Sequence, residues 1–547
     1  MILLVKTMEA EEIIQRMERF ESDRTNFDNQ WQNCADYGMP NANQIVTKRS
    51  PGESKPDLFD TTAEDSNIQL AAGLYSYMFP TDSKAFVLKT DDVELADIDD
   101  VTQWFEKTTK IIHEHLINSN FRQAFFEFLK SLGCFGPACL YEEKGKKSPI
   151  TFVCFHIAGI YVAYNSNGEI DTIFRPFEYT ARQAVQEFED YKDDIGEKVL
   201  AAANDTKKTE DKFRFIHAVM PREDADPDKD DPKSMLWASS WVNRDEKNLI
   251  YESGYPEMPY QVSMFDKDPL EDYGRSPMMK SLPDIKMVNA MQKARIKGWE
   301  KQVDPPALLP DDGSVWPLAT KPGGVIYYRP GGDKPEWFEF KGDLREMEKA
   351  ILSVQQKIQK GFFLDMFDPL VDRQNMTATE VMARVEQKMR FLTPIIGRLQ
   401  SELFNPMIHR IIGILGRQGL LPPVPAQLVD KNYSIMYLGR LALAMRTLET
   451  EGLAKTLVEW TPMAEVNSTW LDNLDVDVSF RDSARNNGMP ATWLKDVKKR
   501  DAERIARAEQ AQQQALLEQV PELSKAAKNL SKPIEKGSPL EAITNAA

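Results

Sequence analysis

The sequence predicts a mixed α+β fold that is predominantly helical, and three observations carry that prediction. Long stretches place apolar residues three and four positions apart, the spacing of a buried helix face. A central region from 138 onward switches to short β-rich runs divided by turn residues. The chain has 547 residues, 42% hydrophobic and 28% charged, an ordinary globular balance with enough length for a large core.

Taken in order, residues 8–38 read as a helix with Ile13, Ile14, Met17 and Phe20 on one face. After the loop "TKRSPGESKP", the segment "LFDTTAEDSNIQLAAGLYSYMFP" carries Ala63, Ser66, Ala71, Ala72 and Gly73, small residues that permit close helix packing. Residues 101–132 read as further helix, bounded by "GCFGPA". Strands are expected in "ITFVCFHIAGIYVAY" and "TIFRPFEY", with "NSNGE" as the turn between them. Helix follows near 181–203, then strands at "FRFIHAVM", "SSWVNR" and "NLIYESGY", with the acidic insert "EDADPDKDDP" between two of them.

The second half is organised differently. A helix is expected over 276–303, with Ser276 as cap and Pro277 in its first turn. Residues 304–342 hold seven prolines and two Gly pairs, the mark of a compact non-helical insertion. Asp343 and Glu346 form a capping pair for the next helix, along which Leu344, Met347, Ile351, Val354 and Ile358 make a narrow stripe suited to neighbouring helices. Gly361 ends it. "FFLDMFDPLVDRQN" follows, too apolar for a solvated connector and too acidic for a core plug. From the Thr377/Glu380 capping pattern a long helical stripe runs on, with a kink expected at Pro394. Residues 438–515 read as mostly helical, and the last residues as a disordered tail.

Composition narrows function. A net charge of -17 argues against tight nucleic-acid binding, which draws its affinity from Lys and Arg. Cys34, Cys134, Cys139 and Cys154 form no C-x-x-C pair and have no histidine at ligand spacing, so no zinc site is expected, and four thiols fit a reducing cytoplasm. The apolar run ahead of Lys6 is too short for a signal-peptide core, and no run approaches the roughly 20 residues that span a bilayer. No phosphate loop, dinucleotide fingerprint or nucleophile elbow is present. "HEH" at 113–115 lacks the i, i+4 histidine pair of a zinc peptidase. Asp226, Asp228 and Asp230 mimic the start of a calcium loop, but Asp231 and Trp237 stand where Gly and Glu are required. The expectation is a protein without enzymatic activity and without cofactor or metal.

The order of these pieces resembles the portal, or head-to-tail connecting, proteins of short-tailed double-stranded-DNA bacteriophages. The likeness is carried by "DTTAEDSNIQLAAGLYSYMFP" (60–80), "FIHAVMPRED" (215–224) and "YGRSPMMKSLPDIKMVNAMQKARIKGWEKQVDPPALLP" (273–310), then by "MTATEVMARVEQKMRFLTPIIGRLQSELFNPMIHRI" (376–411) and "YLGRLALAMR" (437–446). It implies a portal fold assembled as a closed ring of twelve subunits at one capsid vertex of the virion, after synthesis in the host cytoplasm. In such a ring the α+β wing would span 1–272, the first stem helix 273–303, the clip 304–342 and the second stem helix 343–362. A tunnel loop at 363–376, a kinked wing helix and linker at 377–437, a helical crown at 438–515 and a flexible tail at 516–547 would complete it.

Roles follow from the same resemblance. Phe363, Asp365, Met366, Phe367 and Asp368 would face DNA from the tunnel loop. Trp316, Tyr327, Tyr328 and Trp337 would meet terminase or tail from the clip, although the two tryptophans serve equally as a miniature core. The stripe Leu344, Met347, Ile351, Val354 and Ile358 would pack between subunits. Lys286, Lys293, Arg295 and Lys297 make the first stem helix locally basic, which fits a DNA-facing role and a salt-bridged face equally. The implied partners are further copies of the chain, the terminase large subunit, major capsid and scaffolding proteins, tail adaptor or tail tube proteins, and double-stranded DNA bound without sequence specificity, with no membrane. Twelve copies at -17 each carry -204 formal charges, which would repel the duplex and keep it mobile. The alternatives are a tail-adaptor or scaffold protein that does not surround DNA, and a metal-dependent nuclease or hydrolase.

Overall fold

The computed structural model describes residues 9–308 apart from breaks at 43, 48–56, 81–83, 93–94, 96–97, 146–147, 227–228 and 230. It also describes 336–337, 342–367, 391–437 apart from 430, and within the C-terminal part 452, 455–459, 475–486, 493, 495 and 499–512.

In chain order the first half runs α1 (Ala10–Gly38), α2 (Thr62–Met78), β1 (Phe86–Thr90), α3 (Asp99–Asn118) and α4 (Phe121–Phe135). Then come β2 (Pro137–Glu143), β3 (Thr151–Phe155), β4 (Tyr161–Tyr164), β5 (Ile170–Thr180), α5 (Ala181–Glu187) and α6 (Glu197–Asn204). β6 (Lys212–Pro221), β7 (Trp237–Asn243), β8 (Asn248–Tyr255) and β9 (Tyr260–Met264) complete it. The second half runs α7 (Pro277–Val303), β10 (Ala307–Leu308), β11 (Glu336–Trp337), α8 (Leu344–Gly361) and the single turn α9 (Leu364–Phe367). After the undescribed 368–390 come α10 (Thr393–Leu399), a π-helical turn at Gln400–Phe404, α11 (Asn405–Arg417), β12 (Tyr433–Tyr437) and α12 (Val476–Asn486).

The chain divides into two compact units. The larger holds the described residues up to Phe86, Thr108–Pro422 and Tyr437. Its centrepiece is an antiparallel five-stranded sheet in sequential order β4-β5-β6-β7-β8. Alternation along β6 assigns its two faces: Ile216, Ala218 and Met220 join Ile13, Ile14 and Met17 of α1, while Phe215 joins Ala184, Phe188 and Val199 beneath α5 and α6. A three-stranded sheet, β3-β2-β9, packs beside the phenylalanines of α4: Phe121 lies 5.1 Å from Phe152, and Phe125 lies 5.3 Å from Phe404. Gly136, at φ 95°, turns the chain from α4 into β2; a Cβ there would come within 2.3 Å of the Gly274 carbonyl oxygen.

The smaller unit takes Val87–Lys107, Pro423–Met436 and the described residues beyond 441. β1 pairs with β12 there, and Arg481 bonds Asp99 at 3.1 Å. Asp477 gathers Arg500 at 3.2 Å and Arg504 at 2.5 Å. The pairing with Arg504 pulls this exposed carboxyl below its ordinary range.

Several sequence expectations change in detail. The helix expected over 101–132 is two helices parted at Ser119–Asn120. Asn120 is drawn out of the helix because its amide serves β3, donating to the Phe152 carbonyl (2.6 Å) and accepting its N–H (3.0 Å). β1, β9 and β12 were not foreseen, β9 because both of its faces are buried and no alternation is left in its burial. Pro394 sits in the first turn of α10, where its missing N–H is harmless, and the π turn follows at Gln400–Phe404; the stretch 377–390, on which the expected kinked helix depends, lies outside the described residues.

Candidate functional site

α7 starts where Ser276 allows it. Its hydroxyl accepts the Met279 N–H (3.0 Å) and donates to the Cys134 carbonyl (2.8 Å), which ties the helix start to α4. α8 starts at Asp343, whose carboxylate accepts the N–H groups of Arg345 (2.9 Å) and Glu346 (3.2 Å). The two helices pack along each other and against α2. Lys357 reaches Asp284 at 2.8 Å, and Gln292 and Gln355 both donate to Asp60 at 3.3 and 2.7 Å. Gly361 lets the end of α8 come close, since a Cβ there would meet the Ser281 hydroxyl at 2.5 Å.

This packing already occupies part of the α8 stripe. Ile351 and Ile358 are fully buried within one chain, whereas Leu344, Met347 and Val354 are half-buried. A different apolar set faces outward: Met287, Ile296, Trp299 and Val303 on α7, and Leu352 on α8. Ile296, Trp299 and Val303 follow at spacings of three and four, one continuous helix face.

The loop entered from α8 is seated on the body. Phe362 is fully buried, and Phe363 adopts φ 58°, a left-handed conformation uncommon for a bulky residue. Its ring lies 6.3 Å from Phe265. Leu364 is buried, Asp365 exposed and Met366 half-buried. Phe367 covers the backbone of Gly73 in α2, where a Cβ would stand 2.6 Å from the ring. Asp368 lies outside the described residues, as do Trp316, Tyr327 and Tyr328. Trp337 lies in β11, paired with Ala307 of β10.

The basic face of α7 is largely engaged within the chain. Lys280 pairs with Asp266 (2.6 Å), Lys286 donates to the Asn33 side-chain oxygen (2.9 Å), and Lys293 pairs with Asp57 (3.0 Å). Arg295 stacks over Trp299 at 4.5 Å. Lys297 and Lys301 are exposed.

Sequence reasoning missed a set of polar anchors, buried or half-buried. Glu402, in the π turn, accepts from the Ser263 hydroxyl and the Met264 N–H, both at 2.9 Å. Arg410 donates to the carbonyls of Glu142 (2.9 Å) and Glu257 (2.7 Å). Glu142 is fully buried, and burial pushes its carboxyl well above the usual range despite the Arg410 charge. His217 is held by the Tyr260 hydroxyl (2.7 Å) and the Ser239 hydroxyl (2.9 Å) and stacks on Trp241 at 4.0 Å, and burial keeps it neutral. The available signal was a Glu and an Arg set into the apolar helical stripe at 399–415. Among the described residues, no group of three or more His, Cys, Asp or Glu side chains is gathered to hold a metal ion. No helix among them is long and apolar enough to cross a membrane.

The helix pair with its outward apolar face and the body on which the following turn is seated fall within a stretch of sequence that matches a known family along nearly the whole chain. The family model described as bacteriophage head to tail connecting protein matches residues 10–494. The chain belongs to this family. Among its relatives, the probable portal protein of Bordetella phage BPP-1 is 28% identical over 87% of this chain and 86% of its own length. The portal protein of Salmonella phage epsilon15 is 26% identical over 98% of both chains. The portal protein of Enterobacteria phage T3 is 22% identical over 82% of this chain and 81% of its own. The connector-family match takes in every element from α1 to α12, so both units belong to it.

Proposed function

We propose that copies of this chain close into a ring of about twelve subunits at one capsid vertex, and that the ring is the conduit for packaging and ejecting the genome. In this reading α7 and α8 form the stem, the segment between β10 and β11 the clip, and the body with α10 and α11 the wing. The described helices beyond 475 belong to the crown. Terminase docks during packaging and tail proteins afterwards, with capsid and scaffolding proteins around the rim.

The observation that carries the reading is the outward apolar face of α7. Trp299 is 44% and Val303 85% exposed beside Ile296 at 36%. Such a face on a helix whose other side is already packed calls for a neighbour, and in a family of head to tail connectors the neighbour is the next subunit. The acidic chain suits a conduit that must not grip its cargo.

Light scattering and negative-stain images of the purified protein test this. Rings of about twelve with a central hole are expected, and Trp299→Asp with Val303→Asp should abolish them while leaving the monomer folded. A wild-type protein that stays monomeric or dimeric would refute the ring and favour an adaptor that does not surround DNA.

A further inference from the structure

The chain enters the 368–390 segment through α9 and leaves it through α10, and the two approaches reach adjacent residues at the end of β9. On the entering side, the Phe363 ring lies 6.3 Å from the Phe265 ring. On the leaving side, the Glu402 carboxylate accepts from the Ser263 hydroxyl and the Met264 N–H. We propose that Ser263–Phe265 is a shared anchor for the two ends of this segment, with Phe363 and Glu402 as the positioning residues, so that loosening one end loosens the other.

Five features support the anchor. β9 is an edge strand of the β3-β2-β9 sheet, and the outward Met264 N–H needs a partner from outside the ladder. Glu402 supplies it because the π turn at Gln400–Phe404 aims this side chain at the strand end. The stretch itself is firmly held, since the Phe265 N–H donates to the Gly136 carbonyl at 2.8 Å. Phe363 is kept in its left-handed conformation next to this point, a cost the surrounding packing must cover. Arg398 stands 3.6 Å from the other Glu402 oxygen and steadies it. The anchor thus joins the entrance to the 368–390 segment, the exit from it and the body's sheet. Its significance for DNA handling rests on the portal reading, but its existence does not.

Hydrogen–deuterium exchange at the Met264 amide, read by fragmentation mass spectrometry on the assembled full-length protein, tests the proposal. Glu402→Ala should speed exchange about tenfold, the worth of one charge-assisted bond. Glu402→Gln, which keeps an acceptor, should stay close to wild type. Phe363→Ala should speed exchange at the same amide, and Phe363→Leu should largely restore protection. Combining Phe363→Ala with Glu402→Ala should add little to Glu402→Ala alone. A Met264 amide indifferent to Phe363→Ala, or effects that multiply independently, would overturn the anchor. Negative-stain images of the same samples keep the two ideas apart: intact rings without the coupling refute the anchor alone, and a wild type without rings refutes the portal reading alone.

Discussion

Gly73→Ala probes how the start of the loop is seated, and its sign depends on one ring. In the middle of a helix such as α2, alanine is worth about 1 kcal/mol over glycine. At this position, however, the new Cβ would stand 2.6 to 2.7 Å from three atoms of the Phe367 ring. Optimal carbon–carbon contact is about 3.5–4 Å, so the ring must retreat by roughly 1 Å. Overpacking of this kind costs about 1–3 kcal/mol. In the wild-type background Gly73→Ala should therefore be neutral or destabilising by up to about 2 kcal/mol. In a Phe367→Ala background the clash disappears, and the same substitution should stabilise by about 1 kcal/mol. A double-mutant cycle by urea denaturation at fixed protein concentration should return a coupling of about 1–3 kcal/mol. Exchange protection at 362–367 should fall in the Gly73→Ala single variant. If Gly73→Ala stabilised both backgrounds equally, Phe367 would not rest on α2 and this account of the loop's entrance would fail.

Further outcomes follow from the buried anchors. Arg410→Met leaves the carbonyls of Glu142 and Glu257 without their donor, which should cost about 3 kcal/mol in a urea titration. Glu142 has a folded carboxyl raised above its ordinary 4.5, so the folded chain keeps a proton that the unfolded chain gives up. Its contribution is complete below pH 4.5 and is lost as pH rises toward the raised value; Glu142→Gln should flatten that part of the stability–pH curve. Ser276→Ala removes the α7 cap and the donor to Cys134 and should lower stability by about 1–2 kcal/mol, seen as a reduced urea midpoint.

What was legible in the sequence was local. The starts of α7 and α8 could be read because Ser276 and Asp343 act on N–H groups two or three residues away. β6, β7 and β8 could be read because β-rich runs and turn residues mark them within a few positions. What escaped joins residues far apart in the chain: Phe367 to Gly73, Glu402 to Ser263, Arg410 to Glu142. The stripe on α8 shows the limit well. Periodicity announces that Ile351 and Ile358 are covered, but not whether α2 and α7 or another subunit covers them. Within one chain they are already buried, whereas Leu352 and the outward face of α7 stay open to a neighbour.

The same allocation bears on how a wall of subunits would treat DNA. As a sequence, α7 is a basic helix in an acidic protein, which fits a grip on phosphate as well as an internal pairing role. The structure spends Lys280 on Asp266, Lys286 on Asn33 and Lys293 on Asp57, and lays Arg295 over Trp299. Each cation so engaged contributes less to counterion release from a duplex. On the ring reading, Lys297 and Lys301 are exposed α7 cations outside these pairings, and few such contacts per subunit would mean a shallow dependence of any retained binding on salt. A steep salt dependence, removed by neutralising Lys286 and Lys293, would show instead that these pairings open when DNA is present. On the ring reading, the pairings along α7 would leave the wall charged enough to be wetted, with few cations left over to hold a duplex.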